Sequence, residues 1–250
     1  VNELPKADIV IHAAASTDSS KYLINSDVEK NNIIAGSLNY CKLALKFHKN
    51  SKIIFCSSGA VYGYQSPSKK FLKEDGVFGD VSKLDEAKKT YAYAKRDSEI
   101  AIKQLGKKNL NVTIARCFTF VGKYLPLDKH FAIGNFISNG INGEDIDVKT
   151  DRLVFRSYMY ADDLVFWLMT LGINANKNCP IYNVASDQEI EIRELADIVA
   201  KILKVNVKSV KNKNNLKNDR YIPSVEKAKK ELGLTNRYSI TDSIIMSINS

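Results

Sequence analysis

The stretch TYAYAKRDSE, residues 90–99, places Tyr91 four residues before Lys95 in a polar, helix-favouring run. On a helix that spacing puts both side chains on one face, a single turn apart. An ammonium group beside a phenol favours the phenolate, so the pair has the makings of a base near neutral pH although tyrosine ordinarily ionises near pH ~10. A second reactive group lies in SSGAVYG, residues 57–63, directly after an apolar run of strand character. A hydroxyl at the end of a strand can hydrogen-bond a substrate oxygen while Tyr91 exchanges its proton. The plainer alternative leaves Tyr91 and Lys95 on a helix surface, with Ser57 and Ser58 satisfying backbone groups in a turn.

The elements that would position these groups follow from periodicity. ADIVIHAAA (7–15) is a short apolar run, rich in β-branched residues and ending in small ones, as in a buried parallel strand. Apolar Ile33, Ile34, Leu38, Cys41 and Leu45 predict a helix over 28–48, and SKIIFCSS (51–58) a second strand. A long helix is expected over 83–106, with Asp85 near its start and Gly106 at its end, before a third strand in NVTIARCFTF (111–120). Strands alternating with helices make an α/β, doubly wound parallel sheet, which takes its ligands at the carboxyl ends of the strands.

Beyond residue 120 loops lengthen. The pattern predicts a helix over 130–141, a strand pair near 146–155, a helix from Asp162, a strand at 181–185 and helices over 191–204, 224–233 and 240–248. Residues 1–122 are therefore read as the sheet-bearing domain. Residues 123–250 are read mainly as a smaller α/β substrate lobe, some of whose segments return to the sheet.

A hydrophobic share of 44% with 26% charged residues is that of an ordinary globular protein. No apolar run approaches the roughly 18 residues that span a bilayer, and VNELPKADIV lacks the form of an export signal. The expectation is a cytoplasmic protein with no membrane partner. The net charge of +9 suits either an anionic ligand or plain solubility. The lysine-rich stretch KVNVKSVKNKNN (204–215) has no interleaved aromatics, which argues for a solvated surface and against nucleic acid. Cys41, Cys56, Cys117 and Cys179 are scattered without metal-ligand spacing, so they read as reduced thiols and no metal is expected. His12 reads as structural, and Asp163 as an N-cap or first-turn residue.

In order along the chain, VIHAAA, SSGAVYG, Tyr91 and Lys95 followed by Glu99, and ARCFTFVG resemble the extended short-chain dehydrogenase/reductases. More specifically they resemble the NAD-dependent nucleotide-sugar epimerase/dehydratase family. FRSYMYADDL (155–164), YNVASDQEIEIRELA (182–196) and YIPSVEKAKKELGL (221–234) extend the likeness over nearly the whole chain. The resemblance implies a Rossmann-like sheet, with residues 1–122 as a partial dinucleotide-binding domain, NAD as cofactor, a nucleotide-diphosphate sugar as substrate, and a homodimer. It makes Ser58, Tyr91 and Lys95 catalytic, with Lys95 also binding the nicotinamide ribose and depressing the Tyr91 pKa. Ala13, Ala14, Ala15 and Ser57 join Tyr91 and Lys95 at the cofactor, while Thr119, Arg156 and Arg220 fall on the substrate side. The implied reaction is epimerisation by transient oxidation and re-reduction, for surface polysaccharide biosynthesis. The alternatives are 4,6-dehydration or reduction of such a sugar, or a non-catalytic, dinucleotide-sensing protein of the same fold.

Three departures qualify the likeness. Members of that family open with a strand, a G-x-x-G-x-x-G turn and a helix, and this sequence begins just before what would be their fourth strand, so the sheet is expected to be amino-terminally incomplete. The 250-residue chain alone is accordingly expected to bind NAD weakly, and micromolar affinity by calorimetry would refute that. Where dehydratases and decarboxylases of the family carry acidic side chains after the catalytic hydroxyl, this sequence has Gly59 and Ala60, which favours epimerisation. Thr119 and Lys123 replace the family's Asn and Pro after the third strand.

Overall fold

The computed structural model describes residues 3–15, 24–66, 68–127, 131–210 and 218–249. Strands β1 (Ile9–His12), β2 (Lys52–Ser58), β3 (Asn111–Cys117) and β8 (Ile181–Val184) form a four-stranded sheet in that order. All its pairings are parallel, with Cys56 opposite Ala115 and Ser58 opposite Cys117. Alternate residues of a strand point to opposite faces, and here both faces are covered. Ile53 and Phe55 pack with Ala44 of α1 (Ser26–Phe47) and with Ile102 and Leu105 of α2 (Glu86–Lys107). Ile54, on the other face, packs with Trp167, Leu168 and Leu171 of α4 (Ala161–Ile173).

The helices begin where short polar side chains satisfy their first amides. Asn25 Oδ1 accepts from Val28 N at 3.2 Å and starts α1. Asp85 Oδ1 accepts from Lys88 N at 2.9 Å and starts α2. The expected start of α2 at residue 83 falls instead in a 3₁₀ turn, Val81–Lys83. Gly106 does not end the helix, which continues through Lys107. Its missing side chain lets the Lys177 carbonyl approach, since a Cβ at Gly106 would lie 2.5 Å from that oxygen.

The second half builds its own core from α3 (Ala132–Ile141), α5 (Ile192–Leu203) and α7 (Ile240–Ile248), with Ile133, Phe136, Leu195, Val199 and Ile244 at its centre. Its strands are short. β4 (Phe120–Val121) pairs with β7 (Met159–Tyr160), and β5 (Ile146–Val148) pairs with β10 (Val207–Ser209). β6 (Val154–Arg156) lies between β11 (Asp219–Arg220) and β9 (Ile190–Glu191). The strand pair expected near 146–155 is thus not a pair: β5 and β6 each bond to strands much later in the chain. Of the lysine-rich stretch 204–215, Val207–Ser209 is β10 and residues 211–215 lie outside the described residues, as does residue 130 at the expected start of α3.

The chain also comes back to the sheet. β8 is one of its strands, and Ala228 of α6 (Glu226–Leu232) packs with α4 on the face that carries Ile54. Asp163 sits in the first turn of α4, where its carboxylate accepts from the backbone N and the Nε of Arg237 at 2.9 and 2.6 Å. Among the described residues, no helix is long and apolar enough to cross a membrane.

Candidate active site

Ser58 is the last residue of β2 and caps the 3₁₀ turn Gly59–Tyr62, with its Oγ accepting from Ala60 N at 3.2 Å. The chain turns sharply here, which leaves the hydroxyl at the carboxyl end of the sheet. Tyr91 and Lys95 reach the same place from α2. Lys95, 3% exposed, donates from Nζ to the Cys56 carbonyl at 2.9 Å and lies 5.7 Å from the centroid of the Tyr91 ring. The Tyr91 hydroxyl shares a hydrogen bond with Ser58. The structure therefore brings Ser58, Tyr91 and Lys95 together.

Their electrostatics differ from the sequence expectation. Burial pushes the Tyr91 phenol up to about 12, while the hydrogen bond from Ser58 works downward. Burial also holds Lys95 below the ordinary lysine range, against the pull of the Cys117 and Cys56 thiols and of Glu99. Desolvation is the largest influence on the phenol, so the net direction for Tyr91 is upward and not the expected depression. The thiols of Cys56 and Cys117 hydrogen-bond each other close to Lys95.

Ala13 and Ala14 lie exposed just beyond β1, and Ala15 packs near Tyr91 and Ile33. His12, 8% exposed, is wedged edge-on between Tyr40 and Phe55, with ring centroids 4.6 and 5.5 Å away.

Ser57 faces the opposite way from Ser58 because strand residues alternate. Its Oγ donates to Glu99 Oε1 at 2.6 Å, inside a buried network under the site. Arg116 donates to the two oxygens of Glu99 from Nε and Nη2 at 3.0 and 2.9 Å. Its Nη1 donates to Tyr62 Oη at 3.1 Å, and Tyr62 Oη donates to Asn183 Oδ1 at 2.7 Å. The Ser57 hydroxyl thus gives its proton to Glu99.

The substrate-side residues lie in the second half and carry protein partners. Thr119 Oγ1 donates to the Ser157 carbonyl. Arg156 is bidentate to Asp219, with Nη1 and Nη2 at 3.1 and 3.0 Å from its carboxylate oxygens. Arg220 pairs with Glu189, its guanidinium 4.6 Å from the centroid of the Phe155 ring. Neighbours on an extended chain point to opposite sides, and Tyr221, the residue after Arg220, points at the site. Its ring lies 4.7 Å from that of Phe118, its hydroxyl shares a hydrogen bond with Ser58, and Arg156 is within electrostatic reach of its phenol. Arg156 therefore stands near the cluster of Ser58, Tyr91 and Lys95, whereas Arg220 is engaged by Glu189 and Phe155.

Sequence reasoning assigned Tyr221 no role. Its place beside Arg220, at the head of YIPSVEKAKKELGL, fixes no contact.

Residues 1–185 match the model of the NAD dependent epimerase/dehydratase family. The chain is similar to UDP-glucuronic acid decarboxylase 6 of Arabidopsis thaliana, with 28% identity over 232 residues that cover 91% of this chain and 65% of that protein. It thus spans about two thirds of the length of that relative. Among solved structures, a UDP-glucose 4-epimerase of Thermotoga maritima superposes with a TM-score of 0.80 at 20% identity, over 97% of this chain and 76% of the other. A double mutant of a dTDP-glucose 4,6-dehydratase from Streptomyces venezuelae, solved with NAD bound, superposes with a TM-score of 0.78 at 21% identity, over 97% and 72%. These two likenesses establish the Rossmann-type α/β fold.

Proposed function

The chain belongs to the NAD dependent epimerase/dehydratase family, and from that premise we propose that it serves the NAD-dependent epimerisation of a nucleotide-activated sugar by transient oxidation and re-reduction. The observation that carries this reading is the convergence of Ser58, Tyr91 and Lys95 at the end of β2. Bound NAD supplies a hydride acceptor that later returns the hydride. The residues present fit the nicotinamide-ribose half of that cofactor: Ala13 and Ala14 offer an exposed surface free of bulk, and Lys95 brings a desolvated ammonium beside Tyr91.

In this reading Tyr91 takes the proton of the sugar hydroxyl and Ser58 hydrogen-bonds the same oxygen. Lys95 holds the cofactor ribose and favours the ionised form of Tyr91. Arg156 exchanges Asp219 for the substrate diphosphate, a charge-assisted contact that suits its planar fork. Thr119 and Arg220 complete the substrate side, Arg220 by giving up Glu189. The homodimer and a role in surface polysaccharide biosynthesis follow from the family resemblance.

Epimerisation is favoured over 4,6-dehydration by the environment of Gly59. A Cβ there would lie 2.2 Å from Tyr221 Oη and 2.7 Å from the Phe118 ring, which leaves no room for an acidic side chain. Elimination of water would then lack its general acid. The test is product analysis, with NAD and a panel of nucleoside-diphosphate hexoses, in the protein that carries these residues. The expected product is an epimer, with turnover reduced roughly 100-fold or more in Tyr91→Phe, the scale of a lost acid–base group. A dehydrated keto-deoxy sugar, or full activity in Tyr91→Phe, would sink the reading.

A further inference from the structure

We propose that Asn183 is a positioning residue for the substrate side: its side-chain amide fixes residues 219–224, and with them Asp219 and Tyr221, against the turn that follows Ser58. The inference rests on the reading of Arg156 as the diphosphate contact given above.

Residues 219–224 run between the two sets of groups that such a reaction needs side by side. Asp219 holds Arg156 through both carboxylate oxygens at 3.1 and 3.0 Å. Tyr221 N donates to the Phe155 carbonyl at 3.2 Å, its ring leans on Phe118, and its hydroxyl occupies the space that a side chain at Gly59 would need. β11 ends at Arg220, so the rest of the segment needs another anchor. It is tied to the loop after the 3₁₀ turn, Leu72 N donating to Ile222 O at 2.9 Å and Ser224 N to Leu72 O at 2.8 Å. Asn183 of β8, fully buried, closes this joint. Its Nδ2 donates to Leu72 O at 2.8 Å and to Ser224 O at 2.9 Å, and its Oδ1 accepts from Tyr62 Oη at 2.7 Å. Its backbone N donates to Glu74 Oε1, from the same loop, at 2.9 Å.

An amide is the group this joint demands. Carbonyls only accept, so the Leu72 and Ser224 oxygens take the two Nδ2 protons, one each. Oδ1 is then left to accept, and the Tyr62 hydroxyl spends its one proton there. Tyr62 becomes in turn an acceptor, to which Arg116 Nη1 donates at 3.1 Å. From Arg116 to Ser224 each of these groups is paired in the one direction open to it. Asn183→Asp would keep an acceptor for Tyr62 and remove at least one of the two donors. Asn183→Leu, with the same branching, would make none of the three bonds.

Amide hydrogen exchange of the 250-residue chain, followed by mass spectrometry, tests this without cofactor or sugar, because it reports local opening. In Asn183→Leu the amides of Leu72 and Ser224 are expected to exchange roughly tenfold faster or more, the scale of lost hydrogen bonds between neutral groups. Ile54 and Phe55, in the middle of β2, serve as the reference and should change less than about threefold. Asn183→Asp should loosen the same two amides. Protection of Leu72 and Ser224 that is unchanged in either variant, or lost only in step with Ile54 and Phe55, would overturn the proposal. In the cofactor-loaded protein acting on a nucleoside-diphosphate hexose, Asn183→Leu should raise KM roughly tenfold and leave kcat within about threefold, because Ser58, Tyr91 and Lys95 are carried by β2 and α2. A fall in kcat at unchanged KM would overturn it as well. Local loosening in a protein that turns over no nucleotide sugar would support the positioning role while defeating the epimerase reading. Turnover with unmoved exchange would do the reverse.

Discussion

Burial resists the ionisation of Tyr91, and it is not alone. Tyr62 and Tyr158 are likewise pushed up to about 12 by burial. In the unfolded chain these phenols ionise near pH ~10. Between that pH and ~12 the unfolded state binds fewer protons than the folded one, so stability falls as pH rises through this window. Thermal midpoints are expected to drop steadily across it, and less steeply in Tyr158→Phe; coincident slopes for the two proteins would show that Tyr158 ionises as freely folded as unfolded. Ser58, Tyr91 and Lys95 were legible because a spacing of four on a helix and a hydroxyl at a strand end are local patterns. The direction of the Ser57 hydroxyl was fixed by the pleat of β2, and the place of Tyr221 by chain closure. Neither is a property of neighbouring letters. Arg156 and Arg220 could be read as cations, but their partners Asp219 and Glu189 came from the pairing of β6 with β11 and the approach to β9.

One buried ion pair binds α2 to the sheet. Glu99 lies one turn beyond Lys95 on α2, and its bidentate partner Arg116 comes from β3, with side-chain exposures of 4% and 2%. Removing one partner leaves an uncompensated buried charge, so Glu99→Leu or Arg116→Met is expected to cost about 3–5 kcal/mol, while the double replacement costs much less. Urea unfolding of the three variants checks this, and equal losses in single and double variants would mean that the pair is not what ties α2 to β3. The order of helices and long strands was readable because their periodicity runs over many residues. The partners of β5 and β6 were not, since strands of three residues carry no period and nearness in sequence suggested a hairpin that does not form.

At the scale of the whole molecule, the alternation of strands and helices made the parallel sheet legible, and apolar residues on both faces of its strands explain the layers on either side. The reach of the second half over the first was less so, because it depends on single backbone bonds such as those joining Leu72 to Ile222 and Ser224. That clamp has a consequence for biosynthesis. A ribosome delivers Ser58, Tyr91 and Lys95 long before it delivers residues 219–224. A nascent chain therefore carries these side chains through a long stretch of synthesis before the segment that packs over them is made.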